Sequence, residues 1–521
     1  MDHGNVRAHG AGWSRWVWLR VAGTCLFAAA LLGCGAIRAP LTCPERGGPD
    51  WVQIESDHFV VKTDLPESAA RDRITAFEQS FQLLSELAFR SSDPPAGRTL
   101  VIVFDRLEDY QEIGLPQSAG FFSSTDIDSR PLVVMRGAFS ESARQLFQHE
   151  LTHRFVRHFM PRAPSWLNEG LAEFYETLRI DGGQALIGGA SHNHRFMDRL
   201  DRSSMPSATE ILEASPEVFR DPAQQDRFYA GSWLFVSMLI NGPERYRAPF
   251  WSFVHDLVDR RPAEAWWNSF AAVPPGELDE ALADFIRNGE IIVRRAPFSP
   301  RPAVIGAPVR MPEEAIHTLW AELRLRAGTQ DSSAKVRKEL ADAFAQSPHY
   351  AEAHHWSGLF ALDQQEYGEA ERQFLAALAI KPDEERYLQG LCATLYEREM
   401  AKPLERRDFG QLEEPMRLLA KRARSASALS LLGQYHATID EPDEGLAFAE
   451  RSVRLGPSCW ECLDTLARIA FKKGQAGEAV DLQRRALAIM PESTSAKDIL
   501  DRLRQYERAV AAARGSSPAA P

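Results

Sequence analysis

Cysteine is scarce in this chain. Six cysteines among 521 residues are too few for a disulfide framework. Cys459 and Cys462 form a CxxC, but no βαβ setting surrounds it, so it reads as a helix start inside a repeat and not as a redox motif. Positive charge is also short. Sixty Lys and Arg against 72 Asp and Glu leave a net charge of −12. A phosphate-binding surface needs a basic face, so nucleic acid is excluded as a main partner. No Gly-rich loop of the phosphate-cradling kind is present. No apolar run reaches the roughly 20 residues that a membrane-spanning helix needs. A second Cys/His cluster at metal-binding spacing is missing as well. What remains is a chain of ordinary globular composition, long enough for two to four domains.

The first residues look like an address. Arg7, Arg15 and Arg20 precede a short apolar run from Val21 to Cys34, the pattern of a secretory signal. Leu31-Leu32-Gly33-Cys34 resembles a bacterial lipobox. That resemblance implies a leader over 1–33, cleavage before Cys34 and lipidation of Cys34. Gly35 stands where Asp would favour inner-membrane retention, so the expected location is the bacterial cell envelope, lipid-anchored in the outer membrane and facing the periplasm. Several acyl chains would hold the protein firmly to the membrane. Residues 34–50, rich in Pro and Gly, read as a tether.

A first domain is expected over 51–295. Trp51–Ile54, His58–Thr63 and Thr99–Phe104 carry strand composition. Pro66 opens a helix in which Ile74, Phe77, Phe81, Leu84 and Leu87 recur at helical spacing. Ser140 or Ser142 caps a helix running to about Met160, and Ser165 caps a second one running to about Leu178 and ending at Asp181-Gly182-Gly183. Beyond it the chain reads as helical to about Arg295, with Trp266, Trp267 and Phe270 as core.

The first of these two helices contains His149-Glu150-Leu151-Thr152-His153, an HExxH pentapeptide. Residues four apart lie on one helical face, so both imidazoles can meet one ion. Glu150 can reach a water on that ion as general base. The second helix opens with Trp166-Leu167-Asn168-Glu169-Gly170-Leu171-Ala172-Glu173. Two helices joined by a few residues pack antiparallel, which can bring Glu169 to the histidines as third ligand. Two His and one carboxylate with an open fourth position match catalytic zinc.

The pairing of HELTH with WLNEGLAE resembles the gluzincin metallopeptidases, and most of all their bacterial peptidase MA-like group. The resemblance implies a zincin-like α+β domain, Zn2+ held by His149, His153 and Glu169, Glu150 as base and proton shuttle, and Glu173 orienting a ligating His. It implies a protein or peptide substrate. It also implies an oxyanion donor downstream, for which Tyr229 is the candidate and His192 and His194 are rivals. Leu132–Met135 is expected as the edge strand that pairs with an extended substrate, with Gly120–Ser124 at the rim. The chain departs from the aminopeptidase branch. Only 15 residues separate His153 from Glu169, and there is no Gly-x-Met-Glu-Asn segment.

Five prolines between Pro297 and Pro312 mark a linker over 296–314. Beyond it the chain repeats. Pro348 and Pro382 are 34 apart by number, as are Pro457 and Pro491, which is the tetratricopeptide period. Gly358, Ala361, Ala370, Phe374, Ala377 and Pro382 form the clearest unit. Small residues at 358, 370 and 377 let paired helices approach, with Phe374 filling the space between them. Residues 315–510 therefore resemble an all-α tetratricopeptide (TPR) solenoid of four or five helix pairs. Asp408 to Glu414 lies in an insertion, and a disordered tail is expected over 511–521. The whole reads as a membrane-anchored zinc metallopeptidase whose TPR repeats bind a protein partner or substrate. The alternative is a catalytically silent envelope lipoprotein acting as an adaptor.

Overall fold

The computed structural model describes residues 39–95, 97–113, 120–123, 131–136, 140–161, 163–189, 205–214, 222–259, 265–288, 292–328, 332–456, 459–490 and 497–515. The expected leader and Cys34 lie outside these residues, as do His192 and His194. Residues from Pro40 onward form one compact unit.

Its first half is built on a six-stranded mixed sheet. The chain enters through β1 (Val52–Glu55) and β2 (Phe59–Thr63), then helix α1 (Glu67–Leu83), then β3 (Thr99–Phe104), β4 (Gly120–Ser123) and β5 (Leu132–Arg136). Two helices follow, α2 (Glu141–Phe159) and α3 (Ser165–Tyr175). A hairpin comes next, β6 (Arg179–Asp181) and β7 (Gln184–Ile187), then α4 (Pro222–Asn241), α5 (Glu244–Val258), α6 (Pro275–Asn288), β8 (Arg294–Pro297) and β9 (Val309–Arg310). The sheet order is β4-β5-β3-β2-β1-β9. β2, β3 and β5 run parallel to one another, while β4 pairs antiparallel with β5.

Strand side chains alternate between two faces, and each face has its own cover. Val61, Val101, Val103, Val133 and Met135 face one core with Phe77 and Phe81 of α1 and Phe147, Leu151 and Phe155 of α2. Leu100, Ile102, Phe104, Leu132 and Val134 face another core. That second core is closed by α7 (Glu313–Ala327), through Ile316, Leu319, Trp320 and Leu323. The Trp51 and Trp320 rings meet edge-on at 6.4 Å.

This arrangement corrects several expectations. The run 296–314 is not a free linker. β8 pairs with β7, and β9 extends the large sheet beside β1. The end of the 34–50 tether is likewise seated, with Cys43 buried in the α7 core and Leu41 N–H donating to Asp109. Asp181-Gly182-Gly183 turns a hairpin and does not terminate the second helix, because Gly182 and Gly183 both take positive φ (57° and 76°), as a two-residue primed turn requires. Ser165 begins α3 and does not cap it; the cap is Pro164. Leu132–Met135 is an interior strand, and β4 takes the edge.

From α7 on, the chain is a stack of helix pairs. α7 pairs with α8 (Ser332–Gln346), and α9 (Ala351–Asp363) with α10 (Tyr367–Ile380). α11 (Glu385–Met400) pairs with α12 (Glu413–Arg422), and α13 (Ala426–Thr438) with α14 (Pro442–Leu455). α15 (Trp460–Lys472) pairs with α16 (Ala476–Ile489), and α17 (Lys497–Gly515) packs on the last pair. The expected insertion is two short 3-10 turns between α11 and α12. α17 carries the helix to Gly515, into the expected tail. Cys459 and Cys462 are disulfide-bonded at the start of α15.

Phe374 is fully buried, and its ring occupies the space left by two glycines. A Cβ at Gly358 would sit 2.9 Å from the ring, and one at Gly390 only 2.2 Å from it. Gly390→Ala should therefore cost about 1–3 kcal/mol by overpacking, read as a lower midpoint in urea unfolding. Asp64 gives a pH-dependent counterpart. Burial raises its carboxyl to about 6, against a hydrogen bond from Asp105 N–H that lowers it and the nearby Asp109 and Asp105 that raise it. The folded chain thus binds the Asp64 proton more tightly than the unfolded chain. Its stabilising effect is complete below about pH 4 and is lost as pH rises through 6. Asp64→Asn should match wild type at pH 4 and exceed it by about 2–3 kcal/mol at pH 7.5 in thermal unfolding.

Candidate metal centre

α2 begins at its Ser140 cap, whose Oγ accepts from Ala143 N–H. Phe147, Leu151 and Phe155 bind one face of the helix to the sheet. The next face round carries His149 and His153, each only about an eighth exposed. Pro161 and Pro164 break the chain, and α3 returns across α2.

Three donor atoms converge there. The Nε2 atoms of His149 and His153 are 3.1 Å apart. Glu169 Oε2 lies 3.6 Å from the first and 3.4 Å from the second. Tetrahedral zinc with bonds of about 2.0–2.1 Å separates neighbouring nitrogen or oxygen ligands by about 3.3 Å. The observed edges bracket that value. Glu169 Oε2 is also buried without a hydrogen-bond partner, a costly state that a cation would relieve. The donor set therefore fits a zinc ion.

Each imidazole is held from behind. His153 Nδ1 is 3.1 Å from Asn168 Oδ1. His149 Nδ1 is 3.3 Å from Glu176 Oε2 and 3.8 Å from Glu173 Oε1. With Nδ1–H donated in this way, both Nε2 lone pairs face the shared point. Glu176 is thus nearer to His149 than Glu173, the residue the resemblance implied. The signal for it was in the sequence, since 169, 173 and 176 fall on one helical face. Asn168 carried no such signal.

The field at the site is strongly coupled. Burial lowers the tendency of His149 to hold a proton, but Glu169, Glu176, Glu173 and Glu150 outweigh it and raise its pKa well above the ordinary range. Burial raises the carboxyl of Glu169, yet His153, His149 and Asn168 pull it below the usual range. Glu150 is half-buried beside His149 and contributes to that field.

Tyr229 is on α4, in the same neighbourhood. Burial raises its hydroxyl pKa, and the carboxylates of Glu169, Glu150 and Glu173 raise it further. Its oxygen accepts from Gln225 Nε2 at 3.2 Å. α4 lies against α3 because residue 170 has no side chain. A Cβ there would stand 2.5 Å from Val236 Cγ2 and 2.6 Å from the carbonyl oxygen of Ser232. The described backbone of the rim segment is β4, the antiparallel edge strand next to α2.

No protein-family model matches the chain. A Treponema pallidum (strain Nichols) protein described as uncharacterized is 24% identical over 241 residues, which is 42% of this chain and 22% of the relative. The chain thus spans about a fifth of that relative's length. Among solved structures, a thermophilic TPR protein of Thermus thermophilus is 18% identical with a TM-score of 0.32 over 38% of this chain and 98% of its own. PilF of Pseudomonas aeruginosa is 15% identical with a TM-score of 0.30 over 39% and 93%. PilW, a type IV pilus biogenesis factor, is 19% identical with a TM-score of 0.30 over 39% and 95%.

The geometry predicts a graded response behind the metal. Glu176→Gln should weaken zinc binding about 10–100-fold in a chelator competition titration, with Glu173→Gln weakening it less. Equal losses in the two variants would contradict the ranking by distance.

Proposed function

We propose that this chain is a protein-binding helical-repeat scaffold, and that the domain preceding the repeats gives it zinc-dependent peptidase activity. Partner binding is the better supported part. Stacked helix pairs present a continuous surface suited to an extended peptide or a partner protein, and five pairs are laid out here from Glu313 to Ile489. Hydrolysis rests on one observation, the triangle of His149 Nε2, His153 Nε2 and Glu169 Oε2 with edges of 3.1–3.6 Å.

In this reading His149, His153 and Glu169 hold Zn2+ in a zincin-like domain. A bound zinc supplies a Lewis acid and lowers the pKa of a water molecule. Glu150 accepts the proton of the attacking water on its carboxylate and delivers it to the leaving amine. Tyr229 offers its hydroxyl hydrogen to the developing oxyanion, and burial suits that role because it keeps the phenol protonated. Glu176 and Asn168 hold the imidazoles in register through their Nδ1 atoms. β4, the outermost strand among the described residues, can receive an extended peptide by main-chain hydrogen bonds. The lipobox-like Leu31–Cys34 supports attachment of Cys34 to an envelope membrane. Among the described residues no helix is long and apolar enough to cross a membrane.

The second reading is an adaptor whose metal site turns nothing over. The regular stack of pairs favours it, because partner binding needs nothing beyond that stack. Glu150 separates the two. In the peptidase reading, Glu150→Gln keeps about one zinc per chain and loses at least about a hundredfold of its turnover. New peptide termini should appear in envelope proteomes of cells carrying wild-type protein and be absent with Glu150→Gln. Tyr229→Phe should lower turnover about 10²–10³-fold with zinc content unchanged. Full complementation of a deletion strain by Glu150→Gln would instead leave the adaptor.

A further inference from the structure

A second group of metal-binding side chains lies where the segment before β1 meets α7 and α8. Cys43 Sγ is 3.2 Å from His317 Nε2, across 274 residues of chain. On the other side of the ring, His317 Nδ1 is 2.7 Å from Glu339 Oε2. The carboxylate of Glu313 stands beside the Cys43 thiol and accepts from Glu45 N–H at 3.0 Å. One sulfur, one ring nitrogen and one carboxylate oxygen, from Cys43, His317 and Glu313, all lie within 4.8 Å of one another. Asp342 forms a further such group with His317 and Glu339.

We propose that Cys43, His317 and Glu313 bind a divalent cation of the zinc type at a site separate from the HExxH centre, with a water molecule as fourth ligand. Three observations carry this. The donor set is mixed sulfur, nitrogen and oxygen, which suits zinc and excludes the hard cations calcium and magnesium. Glu339 Oε2 accepts a hydrogen bond from Nδ1–H of His317, which leaves the Nε2 lone pair turned toward the sulfur, the arrangement of a carboxylate–histidine–metal triad. Cys43 and His317 are 2% and 3% exposed, so no substrate reaches the thiol and a nucleophilic role is excluded. On binding, the cation replaces the thiol proton, a sulfur–metal bond forms, and the proton leaves to solvent. Glu313 and Asp342 are the partly exposed members and give the ion its way in. The ion would fasten Cys43, and with it the segment just before β1, to the first helix pair.

Cobalt(II) is the probe, because a sulfur ligand gives it a near-ultraviolet charge-transfer absorption that the His149, His153 and Glu169 site cannot produce. The full chain carrying His149→Ala should bind about one cobalt and show this absorption. Adding Cys43→Ser should abolish the absorption and the bound cobalt, with circular dichroism unchanged. Glu339→Gln in the same background keeps all three ligands and should weaken cobalt binding about 10–100-fold while retaining the absorption at saturation. Cobalt uptake without the sulfur absorption, survival of that absorption in Cys43→Ser, or no uptake by the folded His149→Ala chain would overturn the proposal. None of these outcomes bears on the HExxH centre, which the His149→Ala background has already removed.

Discussion

The candidate metal centre depends on how closely three helices pass one another. α2 supplies two imidazoles, α3 a carboxylate and α4 a phenol, and α3 lies between the other two. With any side chain at residue 170, α3 would collide with Val236 and with the Ser232 carbonyl. α3 would have to move, and Glu169 would move with it. A tetrahedral ion tolerates displacements of only a few tenths of an ångström in its ligands. Gly170 is therefore as much part of the donor cluster as Glu169, although it contributes no donor atom.

The sequence disclosed those features whose partners are close along the chain. The two imidazoles are four residues apart on a well-capped helix, and Glu169 follows one short break later, so local geometry was enough to draw them together. The Phe374 packing was readable for the same reason, from the offsets to Gly358, Ala370 and Ala377. Gly390 was not, because it comes from the next helix pair. Glu176 is harder to read because it is the C-cap residue of α3, and Glu173 on the same face offers an equally spaced carboxylate. The strand at the sheet edge was misplaced because strand order depends on pairing across the fold, and composition says nothing about which strand lies outermost.

The largest differences come from long-range contacts. Proline density marked 296–314 as a linker, yet proline is compatible with edge pairing and with extended chain lying on a surface. β8 and β9 use it in that way. The segment before β1 looked like a tether because it is short and rich in Pro and Gly. It is held because Cys43 meets His317, a contact that no local pattern encodes. No spacing rule along the chain connects two side chains 274 residues apart.

α7 belongs to two architectures at once. It is the first helix of the stack and also the lid over one face of the sheet, burying Ile316, Leu319, Trp320 and Leu323 there. Each such side chain contributes on the order of 1.5–3 kcal/mol, so peeling α7 from the sheet would cost much of a domain's net stability. The junction is accordingly a weld and not a hinge. A partner held by the distal repeats would move with the sheet as one lever, because α7 is common to both. Scissors placed at the proline run would leave two damaged pieces, one with a bared sheet and one with a bared helix.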